Sequence, residues 1–199
     1  LLDYYFTDSY ISQFSIFTPT SLHTLTLEAL HLHGPNSTAA IVSHIVRSLS
    51  ASHPSHINLD EEWVFNNAGG AMGAMYIIHA SLTEYLIVFG SAVGTEGHSG
   101  RHTSNDWFHI IKGEQFVYRP GKGVYEAEVY GPGSVNFLKR GEVIQYGMKE
   151  ASFALEYARG WIPGMLWFGF ADSEFFFLLF FSFLSFFFLL SFASVGSCW

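Results

Sequence analysis

The chain has 199 residues, of which 49% are hydrophobic and only 13% charged, and its formal net charge is -8. That length suits one domain with or without a tail, and the apolar content excludes disorder while favouring membrane contact or a large interface. Nine Lys and Arg against seventeen Asp and Glu leave no basic stripe for phosphates, so nucleic acid is excluded as a partner, and the single cysteine, Cys198, allows neither an internal disulfide nor a thiolate zinc cluster.

Residues 1–18 are rich in aromatics but broken by Asp3, Asp8, Ser9, Ser12, Gln13 and Ser15, so they read as the remnant of an N-terminal membrane-proximal segment. Pro19-Thr20-Ser21 opens a predicted helix with Leu22, Leu25, Ala29, Leu30 and Leu32 near one face, and Gly34-Pro35 ends it. Asn36-Ser37-Thr38 caps a second helix with the apolar stripe Ile41, Val42, Ile45, Val46 and Leu49. The same triplet is a glycosylation sequon, but capping needs no particular compartment.

From Trp63 onward, apolar runs of strand length alternate with Gly and Pro: Tyr85–Phe89, Phe108–Ile111, Gln115–Tyr118, Val124–Tyr130, Val135–Leu138 and Phe153–Tyr157. Short strands punctuated by turns predict an all-β sandwich or barrel behind the helical unit. Arg119-Pro120-Gly121-Lys122-Gly123 and Gly131-Pro132-Gly133 supply turns with a fixed φ next to residues that tolerate positive φ. Residues 71–90 also fit a membrane helix with a Gly69-x-x-x-Gly73 packing motif, but His79, Thr83 and Glu84 favour strands.

Residues 175–192 use only Phe, Leu and Ser. As a helix they would be about 27 Å long, enough to span a hydrocarbon core. No Lys or Arg follows Arg159, which argues against a basic helix lying on anionic lipid. Pyrimidine-rich codons encode these three residue types, so the tail at 173–199 is either membrane-associated or artefactual, an intron tract read as coding sequence.

Acidic side chains inside apolar strands carry the chemical interest, because a buried carboxylate is costly unless paired or used. Glu84 and Glu156 fit that description. Strand alternation puts Glu156 with Ala154 and Ala158 on one face, and Phe153, Leu155 and Tyr157 on the other, so small neighbours leave room for a ligand. The plainer alternative is a strand-end Glu paired with Arg159. Asp106 ends the polar loop Arg101–Asp106, where an ordinary solvated turn Asp is the alternative. Among ten histidines, His98 and His102 with Asp106 and His109 have some ligand character, but they match neither a His-x-His pair nor a His-Glu-x-x-His helix.

The segments Trp63-Val64-Phe65-Asn66-Asn67-Ala68-Gly69-Gly70-Ala71-Met72-Gly73-Ala74-Met75, His79–Tyr85 and Gly94–His102 closely resemble the fungal C-8 sterol isomerase family, to which the non-opioid sigma receptor also belongs. The likeness continues through Glu128–Gly133, Leu138-Lys139-Arg140-Gly141 and Ala154–Pro163 to Ala171-Asp172, covering roughly residues 19–172. It implies a mainly β, cupin-like barrel without metal or cofactor over residues 19–172, in an endoplasmic reticulum membrane protein. It also implies an N-terminal membrane helix and two C-terminal helices lying against the membrane. This chain departs from that pattern before Pro19 and from Ser173 onward.

By position, the resemblance makes Glu156 the essential ligand-binding glutamate and Tyr85 the tyrosine that hydrogen-bonds to it. Asp106 matches the fungal members, whereas the sigma receptor's second acid aligns with Phe108. Met75, Ile77, Ile87, Phe89, Phe108 and Tyr146 match or adjoin positions lining the sterol pocket, and Tyr85, Ile87 and Phe89 share one strand face while Glu84 points away. The implied function is a shift of the sterol ring double bond from Δ8 to Δ7 in ergosterol biosynthesis. Glu156 would stabilise a C-8 cation, Asp106 would be its acid/base partner, and Tyr85 would orient Glu156; the two acids are exchangeable in this reading. The implied partners are a sterol substrate, cationic amphiphilic inhibitors, the membrane and two further copies in a homotrimer. Two alternatives stand beside it: a non-catalytic sigma-type receptor or chaperone binding amines or sterols, and a metal-dependent cupin enzyme.

Overall fold

In a computed structural model of the protein, the described residues are 8–121 and 125–165. The Phe/Leu/Ser tract, the C-terminal membrane helices implied by resemblance, residues 1–7 and the Lys122-Gly123-Val124 portion of one turn lie outside them.

Residues 8–18 begin with one helical turn, α1 (Asp8–Ile11), which passes into a 3-10 turn at Ser12–Phe14. The longer helices α2 (Pro19–His33) and α3 (Thr38–Ser52) follow where the punctuation places them. Thr18 caps α2 by accepting from the Ser21 amide at 3.2 Å, and Gly34 closes it at φ 70°, where a Cβ would be strained. The α2 stripe is narrower than its leucines suggest. Leu22, Thr26 and Ala29 are buried, while Leu32 is 58% exposed. The α3 stripe is as expected, with Ile41, Val42, Ile45, Val46 and Leu49 all buried. Ser37 stands at its N-cap position but makes no side-chain capping bond, which corrects the capping role read from the triplet.

Ten strands make up the rest of the described fold: β1 (Trp63–Ala68), β2 (Ala71–Ala80), β3 (Glu84–Ser91), β4 (Thr95–His98), β5 (Ser104–Lys112), β6 (Gln115–Tyr118), β7 (Glu128–Tyr130), β8 (Val135–Leu138), β9 (Gln145–Met148) and β10 (Ser152–Gly160). They form an antiparallel six-stranded sheet in the order β1-β2-β3-β10-β5-β8 and a four-stranded sheet in the order β4-β9-β6-β7. The result is the mainly β architecture expected behind a helical unit, two antiparallel sheets facing each other. Residues 71–90 form the β2–β3 hairpin, which overturns the membrane-helix alternative. No helix among the described residues is long and apolar enough to cross a membrane.

Both faces of the large sheet are covered. On the outer face, Leu22, Ala29, Ile41 and Ile45 of the helices pack with Ile78, Leu86, Val88, Ile111, Leu155 and Tyr157. On the inner face, Ile87, Phe89, Phe108, Ile110, Met148 and Ala154 form a second cluster. Residues alternate between these clusters along β3, β5 and β10, as the two-residue period of a strand requires. In β2, Ile77 faces the barrel interior and Ile78 joins the helices as alternation requires, and the register shift between Ile77 and His79 then keeps His79 on the outer side as well, against Phe17 and 3.8 Å from Glu84.

Glu84 is buried on the outer face and ties the N-terminal segment down. Its carboxylate accepts from the Ile16 amide at 2.6 Å and the Phe17 amide at 3.5 Å, and lies 2.8 Å from the Tyr157 hydroxyl. That hydroxyl is also 3.0 Å from the Phe17 carbonyl. The structural role read for Glu84 is the one found.

Candidate active site

Strand register assembles the site. Across β3, β10 and β5, Tyr85, Ala158 and Asp106 lie in one row, and Ile87, Glu156 and Phe108 lie in the next. Phe89, Ala154 and Ile110 make the third. Directly opposed residues share a face, so Glu156 sits diagonally between Tyr85 and Asp106 with the small Ala158 beneath. Sequence alternation along β10 puts Ala154, Glu156 and Ala158 on this same face.

The Tyr85 hydroxyl donates to Glu156 Oε1. Arg159, the plainer partner for Glu156, pairs instead with Asp8 at 2.7 Å. Asp106 is buried rather than in a solvated turn, and its Oδ2 lies 3.5 Å from His102 Nδ1. Burial, and next the neighbouring Asp106 charge, push the Glu156 carboxyl well above the ordinary glutamate value; the Tyr85 hydrogen bond pulls it down by less. Burial likewise raises Tyr85 and Tyr146 far above the ordinary phenol value, with Glu156 adding to both, so both phenols stay protonated.

These groups open onto a cavity of about 460 Å³ between the two sheets. Glu156, Asp106 and Tyr85 line it, as do Met75, Ile77, Ile87, Phe89, Phe108 and Tyr146. The structure therefore brings all nine expected residues to one space. Its walls also include Leu138, Ile144 and Ile162, and five polar residues that the sequence reading did not place in a sterol pocket: Asn66, Ser99, His102, Gln115 and Asn136. The spacing of four between His102 and Asp106 is the sequence signal that links His102 to this wall.

The histidine set divides. His109 lies on the outer face, with Nδ1 3.1 Å from the Leu155 carbonyl and its ring against His23. Asp106 and Phe108 face inward, so His109, one residue out of step, cannot join His102 and Asp106 at one ion. No group of three or more ligating side chains suited to a metal ion occurs among the described residues.

Residues 1–193 match the family model described as ERG2 and Sigma1 receptor like protein. The chain belongs to this family. A C-8 sterol isomerase ERG2 from Gibberella zeae is 61% identical over 168 residues, covering 84% of this chain and 70% of the relative. A C-8 sterol isomerase from Aspergillus fumigatus is 58% identical over 171 residues, covering 85% and 70%. A sigma non-opioid intracellular receptor 1 from Gallus gallus is 42% identical over 136 residues, covering 67% and 60%. Among solved structures, an RmlC-like cupin from Shewanella frigidimarina aligns over 53% of this chain and 91% of its own at a TM-score of 0.44 and 14% identity.

Proposed function

We propose that this chain is a C-8 sterol isomerase that moves a sterol ring double bond from Δ8 to Δ7 without a cofactor. The observation that carries the reading is the Tyr85–Glu156–Asp106 cluster on the wall of an otherwise largely apolar cavity, in a chain 61% identical to a sterol isomerase. An apolar cavity accepts a rigid hydrocarbon ring system, and the acidic cluster is placed to exchange protons with it.

Glu156, whose carboxyl holds its proton above the ordinary range, donates that proton to C-9 of the sterol. The electron pair of the double bond forms the new C–H bond and leaves a tertiary cation at C-8. Glu156 is then a carboxylate facing that cation. At about 4 Å and an effective dielectric of about 20, this attraction is worth about 4 kcal/mol, roughly three decades in rate. Loss of a proton from C-7 to the carboxylate pair forms the Δ7 bond and restores the starting protonation. Asp106 is the partner that shares the proton, and Tyr85 orients Glu156 by its hydrogen bond.

The same chemistry makes cationic amphiphiles inhibitors, since an amine in the cavity would stand where the C-8 cation forms. An apolar substrate fits a protein at the endoplasmic reticulum membrane, and the family likeness supports a homotrimer.

Sterol analysis of an isomerase-null yeast expressing this chain tests the reading. Δ7 sterol formed by the chain and lost with Glu156→Gln is the expected result. Amine binding without turnover would move the protein to the sigma-type receptor reading instead.

A further inference from the structure

One part of the cavity wall is neither apolar nor part of the acidic cluster. Gln115 of β6 and Asn136 of β8 both line the cavity, and each is only 3% exposed. They belong to different sheets and meet through Asn136 Nδ2, which donates to Gln115 Oε1 at 3.1 Å. Behind them, Arg119 donates through Nη2 to Asn136 Oδ1 at 2.9 Å and through Nε to Glu128 Oε2 at 3.0 Å. Tyr130 donates to the same Glu128 oxygen at 2.8 Å.

This chain of bonds has a direction. A guanidinium carries donors only, so Arg119 fixes the Asn136 oxygen toward itself and the Asn136 nitrogen toward Gln115. The Gln115 oxygen is thereby taken up, and its amide nitrogen is left with no acceptor among the described residues. An amide donor on a cavity wall is best matched by an acceptor on whatever fills the cavity. The position is also informative. Glu156, Phe108 and Asn136 lie in one row across β10, β5 and β8, so Asn136 is about two strand spacings, roughly 10 Å at the backbone, from Glu156. A ligand that reaches from Glu156 to this wall therefore runs across the cavity over a span on the scale of a fused-ring system, such as the one between a sterol's 3-hydroxyl and its second ring.

We propose that Gln115 and Asn136 form the anchor for the sterol 3-hydroxyl, with the Gln115 amide donating to its oxygen, so that the pair sets which ring carbons stand beside Glu156. The inference rests on the isomerase reading for its substrate class. Gln115 and Asn136 are positioning residues; the acidic cluster touches the reacting carbons.

The test compares binding of a 3β-hydroxy Δ8 sterol and its 3-deoxy counterpart to the full chain in detergent, with product analysis in parallel. The intact chain should prefer the hydroxy sterol by about tenfold, and Gln115→Leu should abolish that preference by weakening the hydroxy sterol alone. Equal affinities in the unaltered chain would overturn the anchor, a comparison that needs no variant to fold. Parallel loss of both sterols in Gln115→Leu, with Gln115→Met behaving alike, would reduce the pair to a structural bridge between the sheets and also overturn it. Retained discrimination without any Δ7 product would instead sink the isomerase reading and leave the anchor standing.

Discussion

Tyr85 and Asp106 face each other across Ala158, and Glu156, one row along the same strand, takes the hydrogen bond of the first and the charge of the second. The two neighbours act on Glu156 in opposite senses. Tyr85 stabilises its ionised form, whereas Asp106 stabilises its protonated form.

Glu156→Gln should lower kcat by about a thousandfold, since it removes both the proton donor and the anion facing the cation. The amide keeps the shape of the carboxyl group, so far-UV circular dichroism should not change. Purified enzyme assayed for Δ7 product gives the number, and a loss below tenfold would remove Glu156 from the chemistry.

Stability should move the other way. Glu156 keeps its proton in the folded state at pH values where the unfolded chain has lost it. The folded state therefore binds more protons, and this residue's contribution falls as pH rises from the ordinary glutamate range toward the raised folded value. Glu156→Gln should raise Tm at neutral pH relative to the unaltered chain, with the gain shrinking toward pH 4. Melting curves across that range check the sign.

Tyr85→Phe removes the hydrogen bond that lowers the Glu156 value, so the limb of the pH–rate profile belonging to Glu156 should shift upward. Asp106→Asn removes the charge that raises it, so the same limb should shift downward. Opposite displacements are expected in the two profiles. Displacements of the same sign would show that the limb reports another group.

Glu84→Ala should destabilise the fold by about 3 kcal/mol, because two backbone amides and the Tyr157 hydroxyl lose a buried partner. Denaturant melts measure this directly. The binding preference for hydroxy over deoxy sterol should survive in the folded fraction, since Glu84 lies on the other face of the sheet.

Much of this site could be read from strand period alone. Glu156 between two alanines, and Tyr85, Ile87 and Phe89 in alternate positions, announce a shared inward face without any tertiary information. Asn136 shows where that logic stops. In Val135–Leu138 the polar residue faces inward and Phe137 is 42% exposed, the reverse of the usual pattern, because the inner face there borders a cavity with its own polar wall. Gln115 is hidden for a similar reason: its partner comes from the opposite sheet, through a contact that no local spacing encodes. Strands β1, β4 and β9 have no fully apolar face to mark them in the sequence, with Phe65, Glu96 and Gln145 on the surface. The His79 register shift was equally invisible, since a bulge is a pairing event between two strands.

Glu156 and Tyr157 are adjacent in the chain and point to opposite sides of β10, one into the cavity and the other onto the Glu84 clamp that holds Ile16 and Phe17. A single strand thus couples the reactive wall to the seating of the segment ahead of α2. Damage to that segment would be read in an assay as a defect in chemistry, although none of its described residues lines the cavity.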